Sequence, residues 1–168
     1  MKTILTCLCL LMITGISAAQ SKADADAVNK VLDKYLETEV ARDMMAQSKL
    51  MSSDRVWIGP YTAGRRTNQQ LNMQLQQAGM DEEKKLVPGL RYFIDDRGQI
   101  IKFYGTVAVV SFFRYTNVVV PASTPAEVAR NYAGPIPPVA VTLVLAKEQG
   151  DWKIVHSHVS SMSAPSGQ

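Results

Sequence analysis

The sequence predicts an α+β fold in which a curved antiparallel sheet wraps N-terminal helices, and three observations carry that prediction. From Val28 to Val40 apolar residues recur every three or four positions, the period of a helix with one buried face, and shorter helical stretches follow before Gly79. From Leu90 onward the chain is rich in valine and aromatics with period-two alternation, the pattern of half-buried strands. Short turn sequences separate those runs at hairpin distance, so helices come first and paired strands follow.

The elements follow in order. Val28, Val31, Leu32, Tyr35, Leu36 and Val40 form the stripe of a first helix starting near Asp26. Asp43 can cap a second, short helix through Leu50 that buries Met44 and Leu50. Ser52-Ser53-Asp54 ends it, and Arg55 to Ile58 begins a strand that breaks at Gly59-Pro60. Thr67-Asn68 can cap a third helix to about Gln77, with Leu71 and Leu75 inward and Gly79 as its stop. Leu90 to Asp95 and Gln99 to Phe103 flank a hairpin turn at Asp96-Arg97-Gly98. Thr106 to Tyr115, Val139 to Ala146 and Trp152 to Ser160 are the remaining strands, the last two joined by the turn from Lys147 to Asp151. The segment from Asn117 to Pro138 holds five prolines. Inside it Thr124-Pro125-Ala126-Glu127 has the form of a capping box leading to a short helix, either in an ordered surface loop or in a pocket lid.

Residues 1–19 read as an export signal. Lys2 precedes an apolar run from Ile4 to Ile13, Gly15 breaks it, and Ser17-Ala18-Ala19 offers small residues for cleavage before Gln20. The run is far shorter than the roughly 20 residues needed to span a bilayer, so no membrane association is expected after cleavage. Residues 20–168 then form a single domain in a periplasmic or secreted setting. Both cysteines, Cys7 and Cys9, fall in the signal, which leaves no disulfide, thiolate nucleophile or cysteine metal site. Without Lys2, 17 basic residues face 15 acidic ones, a balance that argues against nucleic acid as a partner.

Chemistry-bearing residues concentrate in the last strand. Strict alternation from Trp152 places Ile154, His156, His158 and Ser160 on its own face. His156 and His158 are the only histidines, and neutral imidazoles side by side suit acid–base work or ligand contact. They are the catalytic candidates, set against a role as hydrogen-bonded core histidines. A metal would need a third ligand that neither histidine nor cysteine can supply, so no metal or cofactor is expected. Trp57, Tyr61, Tyr92, Tyr104, Phe113 and Tyr115 can wall a cavity, fill the core or cover an outer sheet face. Arg65, Arg66, Arg91 and Arg114 could select an anion if turned inward, although a one-sided sheet more often puts arginine in solvent. Asp54 is either a base at a pocket mouth or a cap, and Asp81-Glu-Glu-Lys-Lys85 reads as a solvated charge run.

The run from Gly150 to Ser160 resembles the terminal strand of the nuclear transport factor 2-like superfamily. Within it the similarity is to SnoaL-like proteins and to the association domain of calcium/calmodulin-dependent kinases. Tyr35 through Asp43 to Leu50 looks like the superfamily's first-helix break, and Asp54 to Pro60 like its first strand. The resemblance implies a cone-shaped, cystatin-like roll. It does not fix a reaction, because enzymes, binding modules and assembly domains share the scaffold. Catalytic relatives place carboxylates or an aspartate–histidine pair inside the cone, and no aspartate here aligns with those bases. The arginine that kinase association domains carry on the preceding strand has no counterpart in Val139 to Ala146.

The expectation is therefore an exported domain that binds a small, partly apolar molecule in the cone. Trp57, Tyr61 and Tyr92 are its walls, and His156 and His158 its polar readers. The alternatives are an isomerase, dehydratase or hydrolase using a strand histidine, and an oligomeric interaction domain with structural histidines. Apolar residues on both alternations of Thr106 to Tyr115 and Val139 to Ala146 further predict a homodimer through the outer sheet face.

Overall fold

The computed structural model describes residues 16–59 and 65–162, with side chains from Lys22 onward. Helix α1 spans Ile16–Ala41, beginning ten residues before the predicted start, and buries Val28, Leu32, Tyr35, Thr38 and, just past its end, Arg42. Val40, placed on the buried stripe by the sequence reading, is exposed. The inward face instead continues Tyr35, Thr38 and Arg42, one helical repeat further along. Arg42 sits in the left-handed region at φ 58°, where the helix turns off, and the Asp43 amide closes the end on the Thr38 carbonyl at 2.9 Å. Asp43 then caps α2 (Met44–Ser48), its carboxylate accepting from the Ala46 amide at 2.8 Å, as predicted.

Strand β1 covers Met51–Ile58, absorbing the serines expected to precede it, and β2 is the two-residue piece Arg65–Arg66. Helix α3 runs from Gln69 to Leu86, capped by Asn68 and passing straight through Gly79. Its buried side is Gln69, Asn72 and Met73, while Leu71 and Leu75 are 51% and 53% exposed, the reverse of the predicted face. Polar side chains win this face because they satisfy the backbone of α2. Gln77 Oε1 accepts from the Met44 amide at 2.8 Å, and Gln69 Nε2 donates to the Ser48 carbonyl at 3.2 Å.

Strands β3 (Arg91–Tyr104) and β4 (Val107–Val119) form one long hairpin that turns at Gly105, with φ 63°. The hairpin predicted at Asp96-Arg97-Gly98 is absent. Gly98, at φ 66°, makes a bulge between the pairs Arg97–Phe113 and Ile100–Ser111, and the strand carries on. After β4 comes α4 (Ala126–Ala129), which continues into a 3-10 turn at Arg130–Tyr132 without the predicted side-chain capping box. Strands β5 (Val139–Glu148) and β6 (Asp151–Ser161) complete a six-stranded sheet of order β2-β1-β6-β5-β4-β3, antiparallel except for the parallel pair β1–β6.

The core lies between the sheet and the helices: Val28, Leu32 and Tyr35 of α1, Met44 and Met73, and Ala108, Val110, Phe112, Val141, Leu143, Leu145, Trp152 and Ile154 of the sheet. Trp152 donates to Asp24 at 3.2 Å and meets the Phe103 ring edge-on, which ties the first half of α1 to the last hairpin. Beyond Ile154 the alternation of β6 changes phase. Ile154 pairs with Leu145 and His156 with Val144, so Val155 is an extra, unpaired residue. Strand β1 has its own irregularity at that level, pairing Met51 with Ile154 and then Val56 with His156. One inserted residue reverses every side chain after it. Ser157 and Val159 join the core face, opposite buried Leu143 and Val141, and His156 and His158 turn to the outer face. The single-face reading of Trp152, Ile154, His156 and His158 is thereby corrected.

Candidate functional site

Along β4 the buried positions read Ala108, Val110, Phe112 and then Arg114, a charge where the pattern calls for another apolar side chain. Arg114 is the cross-strand partner of Asp96, the inward residue before the Gly98 bulge. Its Nε and Nη2 each donate to an Asp96 carboxylate oxygen at 2.8 Å, a two-toothed ion pair. Glu39 of α1 approaches the same guanidinium at 3.6 Å, and the rings of Tyr35 and Phe112 lie against it. Burial alone would lower the Arg114 pKa. The hydrogen bond to Asp96 and the charges around it outweigh that and hold it above the usual arginine value.

A second pair lies alongside. Arg42, buried at the end of α1, donates to Glu83 of α3 and stacks on the Tyr92 ring. Tyr92 donates its hydroxyl to the other Glu83 oxygen at 2.8 Å. Burial, then this carboxylate, push the Tyr92 pKa well above its ordinary value, so the phenol stays protonated. Gln47 steadies Glu39 with a 2.6 Å hydrogen bond.

These groups wall two adjoining bays that share Glu39, Arg114 and Thr116. The larger, about 270 Å³, adds Tyr35, Gln47, Arg55, Trp57 and Gln76 from the first half of the chain. Val139, Val159, Ile136 and Pro137 close its other side. The smaller, about 200 Å³, adds Arg42, Met80, Glu83, Tyr92 and Ile94. Ile136 and Pro137 belong to the proline-rich segment, which thus forms cavity wall. Tyr132 of the same segment sits by Glu83, where burial and then that carboxylate raise its pKa. A more open depression of about 300 Å³ near the start of α3, lined by Leu71, Asn72 and Leu75, lies outside this ion-pair network.

The residues singled out from sequence divide accordingly. Trp57 lines the larger bay and Tyr92 the smaller, so the structure brings both to the cavity. Tyr61 lies outside the described residues. His156 and His158 do not reach the cavity. They stand on the outer face beside Val56, Ile58, Val144 and Thr142. The His156 pKa is lowered, by burial first and then by its neighbours His158 and Arg55. Asp54 is exposed within β1, neither a cap nor a cavity base, and accepts from Ser52 of the same strand. Among the described residues no three His, Cys, Asp or Glu side chains cluster as metal ligands.

The sequence reading passed over Glu39, Arg42, Arg55, Glu83 and Asp96. A signal existed for most of them. Glu39 and Arg42 extend the spacing of Leu32 and Tyr35, Glu83 extends that of Met73 and Met80, and Asp96 continues the alternation of Tyr92 and Ile94.

The fold is shared with solved structures of the nuclear transport factor 2-like fold. A protein of unknown function from Pseudomonas putida superposes with a TM-score of 0.67 at 12% identity, covering 86% of this chain and 91% of that one. A protein provisionally named a dehydratase of the same fold, from Streptomyces avermitilis, gives 0.63 at 13% identity, covering 86% and 99%. A protein from Thiobacillus denitrificans, provisionally named a calcium/calmodulin-dependent protein kinase type II association domain, gives 0.55 at 14%, covering 79% and 93%. At such identities the likeness speaks for the fold alone. No curated protein matches the sequence. The SnoaL-like domain profile matches residues 28–165, from the buried stripe of α1 past the end of β6, and the chain belongs to the SnoaL-like domain family.

Proposed function

We propose that this SnoaL-like domain binds a small, partly apolar molecule in the bays between α1, α3 and the inner sheet face. One observation carries the reading. The cavity combines apolar walls at Trp57, Val139, Val159 and Ile136 with the buried polar groups of Gln47 and Arg55 and the half-buried ones of Glu39 and Gln76. Few polar groups placed on an apolar surface are the general form of a small-molecule site. Trp57 provides the assay, since the only other tryptophan, Trp152, is buried in the core. A screen of small aromatic acids, amides and alcohols, followed by Trp57 emission and calorimetry, should find binders whose affinity drops when Val159→Phe fills the larger bay. Binding indifferent to Val159→Phe and Trp57→Phe would defeat the proposal.

Catalysis is the second reading, and a specific observation moves it away from the histidines. Glu39, oriented by Gln47 and Arg114 on the wall common to both bays, is the carboxylate best placed to move a proton of a bound ligand. Glu39→Gln would then abolish turnover while sparing binding.

Two further proposals concern the whole molecule. The outer sheet face, with Phe93, Ile100, Tyr104, Phe113 and Val119 exposed, is proposed to pair two copies of the chain. Export with cleavage before Gln20 is supported by the residues of the N-terminal segment, most of which lie outside the described part of the structure. Among the described residues no helix is long and apolar enough to cross a membrane. Mass spectrometry of the exported protein checks the cleavage, and retention of residues 1–19 refutes it.

A further inference from the structure

The three arginines that line the two bays are not equivalent. Arg114 has Asp96 and Glu39, and Arg42 has Glu83. Arg55, only 2% exposed, has no carboxylate. Among the described residues its Nη1 donates to Ser157 Oγ at 3.1 Å, its Nη2 faces only the Met73 sulfur at 3.5 Å, and its Nε has no hydrogen-bond partner. All fifteen acidic side chains of the protein lie among the described residues, so no undescribed aspartate or glutamate supplies the missing charge. Glu39 is close enough to be felt but does not form an ion pair with Arg55. Gln76, on the same bay, also aims its amide nitrogen at the Met73 sulfur, at 3.8 Å. Strong donors thus converge on a thioether, one of the weakest acceptors a protein has. Leaving a buried charge unpaired is costly, and burial already pulls the Arg55 pKa below the ordinary value.

We propose that Arg55, assisted by Gln76, anchors the carboxylate of a small organic acid whose apolar part lies against Trp57, Val139 and Val159. The inference rests on the cavity-binding reading and names the ligand class. The molecule contains its own template, because Arg114 grips Asp96 through the same Nε–Nη2 edge that Arg55 leaves without an oxygen. Methionine is unbranched and adaptable, so the Met73 side chain can withdraw to admit an oxygen. A carboxylate matches the planar two-donor edge and adds one negative charge. A phosphate dianion would bring a second charge close to Glu39 with no lysine on the bay to meet it.

The test uses matched probes with the full-length domain: 3-phenylpropionate, its neutral amide, and phenyl phosphate, each titrated by calorimetry. The acid is expected to bind about tenfold or more tighter than the amide, as a charge-assisted hydrogen-bonded pair would give. Arg55→Gln should erase that preference while changing the affinity for the amide by less than about twofold. Arg91→Gln, a change at an exposed arginine of β3, should leave both affinities alone. If Arg55→Gln fails to fold, the Nε–H resonance of Arg55 in nitrogen-15-labelled protein serves instead, and it should shift on adding the acid and not the amide. Equal binding of acid and amide, equal loss of both in Arg55→Gln, an unmoved Arg55 resonance or tighter binding of phenyl phosphate would overturn the carboxylate assignment while leaving cavity binding intact. Binding of none of the three probes would overturn both.

Discussion

The two faces of the sheet reverse the usual division of labour. The inner face, sheltered by helices, carries Arg55, Asp96 and Arg114, while the outer face leaves Phe93, Ile100, Tyr104 and Phe113 exposed. On the inner side the polar groups gather where β3 and β4 pass the bays, and the rest of that face is a conventional apolar core. On the outer side the apolar groups spread over β3 and β4, and the histidines of β6 lie across β5 from them. The contrast teaches that burial and polarity are assigned by local function. On the proposed function, the cavity uses its oriented charge to hold a ligand, and the outer face gains by releasing water when two copies pair.

The sharpest way to break this picture is at Arg114. Arg114→Met leaves Asp96 and Glu39 half-buried without the cation they share, and should destabilise the fold by about 3–5 kcal/mol in urea unfolding. Arg55→Met should instead leave stability within about 1 kcal/mol of the parent or raise it, because it removes a buried charge that no carboxylate compensates. A comparable loss in both variants would show Arg55 to be scaffold. Next comes the bulge that lets Asp96 face inward and Ile101 share its side. Gly98→Val forces a β-branched side chain to φ 66°, with its Cβ 3.4 Å from the Phe113 ring, and should cost about 1–3 kcal/mol.

The outer face is tested more gently. Phe113→Lys should change unfolding free energy by no more than about 0.5 kcal/mol, since the side chain is 43% exposed. It should still convert a dimer to a monomer in light scattering, and a parent protein that is already monomeric would refute the pairing. The smallest effect concerns acid. The lowered His156 pKa means the unfolded chain binds the proton more readily, so stability is full above the unfolded value and falls as pH drops from there toward the folded one. His156→Gln should flatten that part of the pH–stability curve, and an unchanged curve would mean the outer face does not resist the charge.

Much of the fold was legible. The Asp43 and Asn68 caps, the β5–β6 turn and the apolar positions of β4 depend on near neighbours in sequence, where capping and alternation hold. The site was less so. Trp57 and Tyr92 were found because aromatics attract attention, whereas Glu83 was hidden inside a charge run and Asp96 inside an apparent turn. Leu71 and Leu75 misled for a related reason. Hydrophobicity alone ranked them above Gln69 and Gln77 for the side of α3 that faces α2, but the α2 backbone needed donors and acceptors more than it needed methyl groups.

By itself, then, the sequence determined the class of fold and the placing of helices before strands, which follow from short-range spacing, while a resemblance carried by the last strand pointed to the family that the match over residues 28–165 shows. Only the tertiary structure decided which way the last strand faces. A two-residue period cannot register one extra residue, and Val155 is extra only in relation to β5, whose pairing partners are set across the sheet. That insertion removes two histidines from the cavity and puts Ser157 beneath Arg55 in their place.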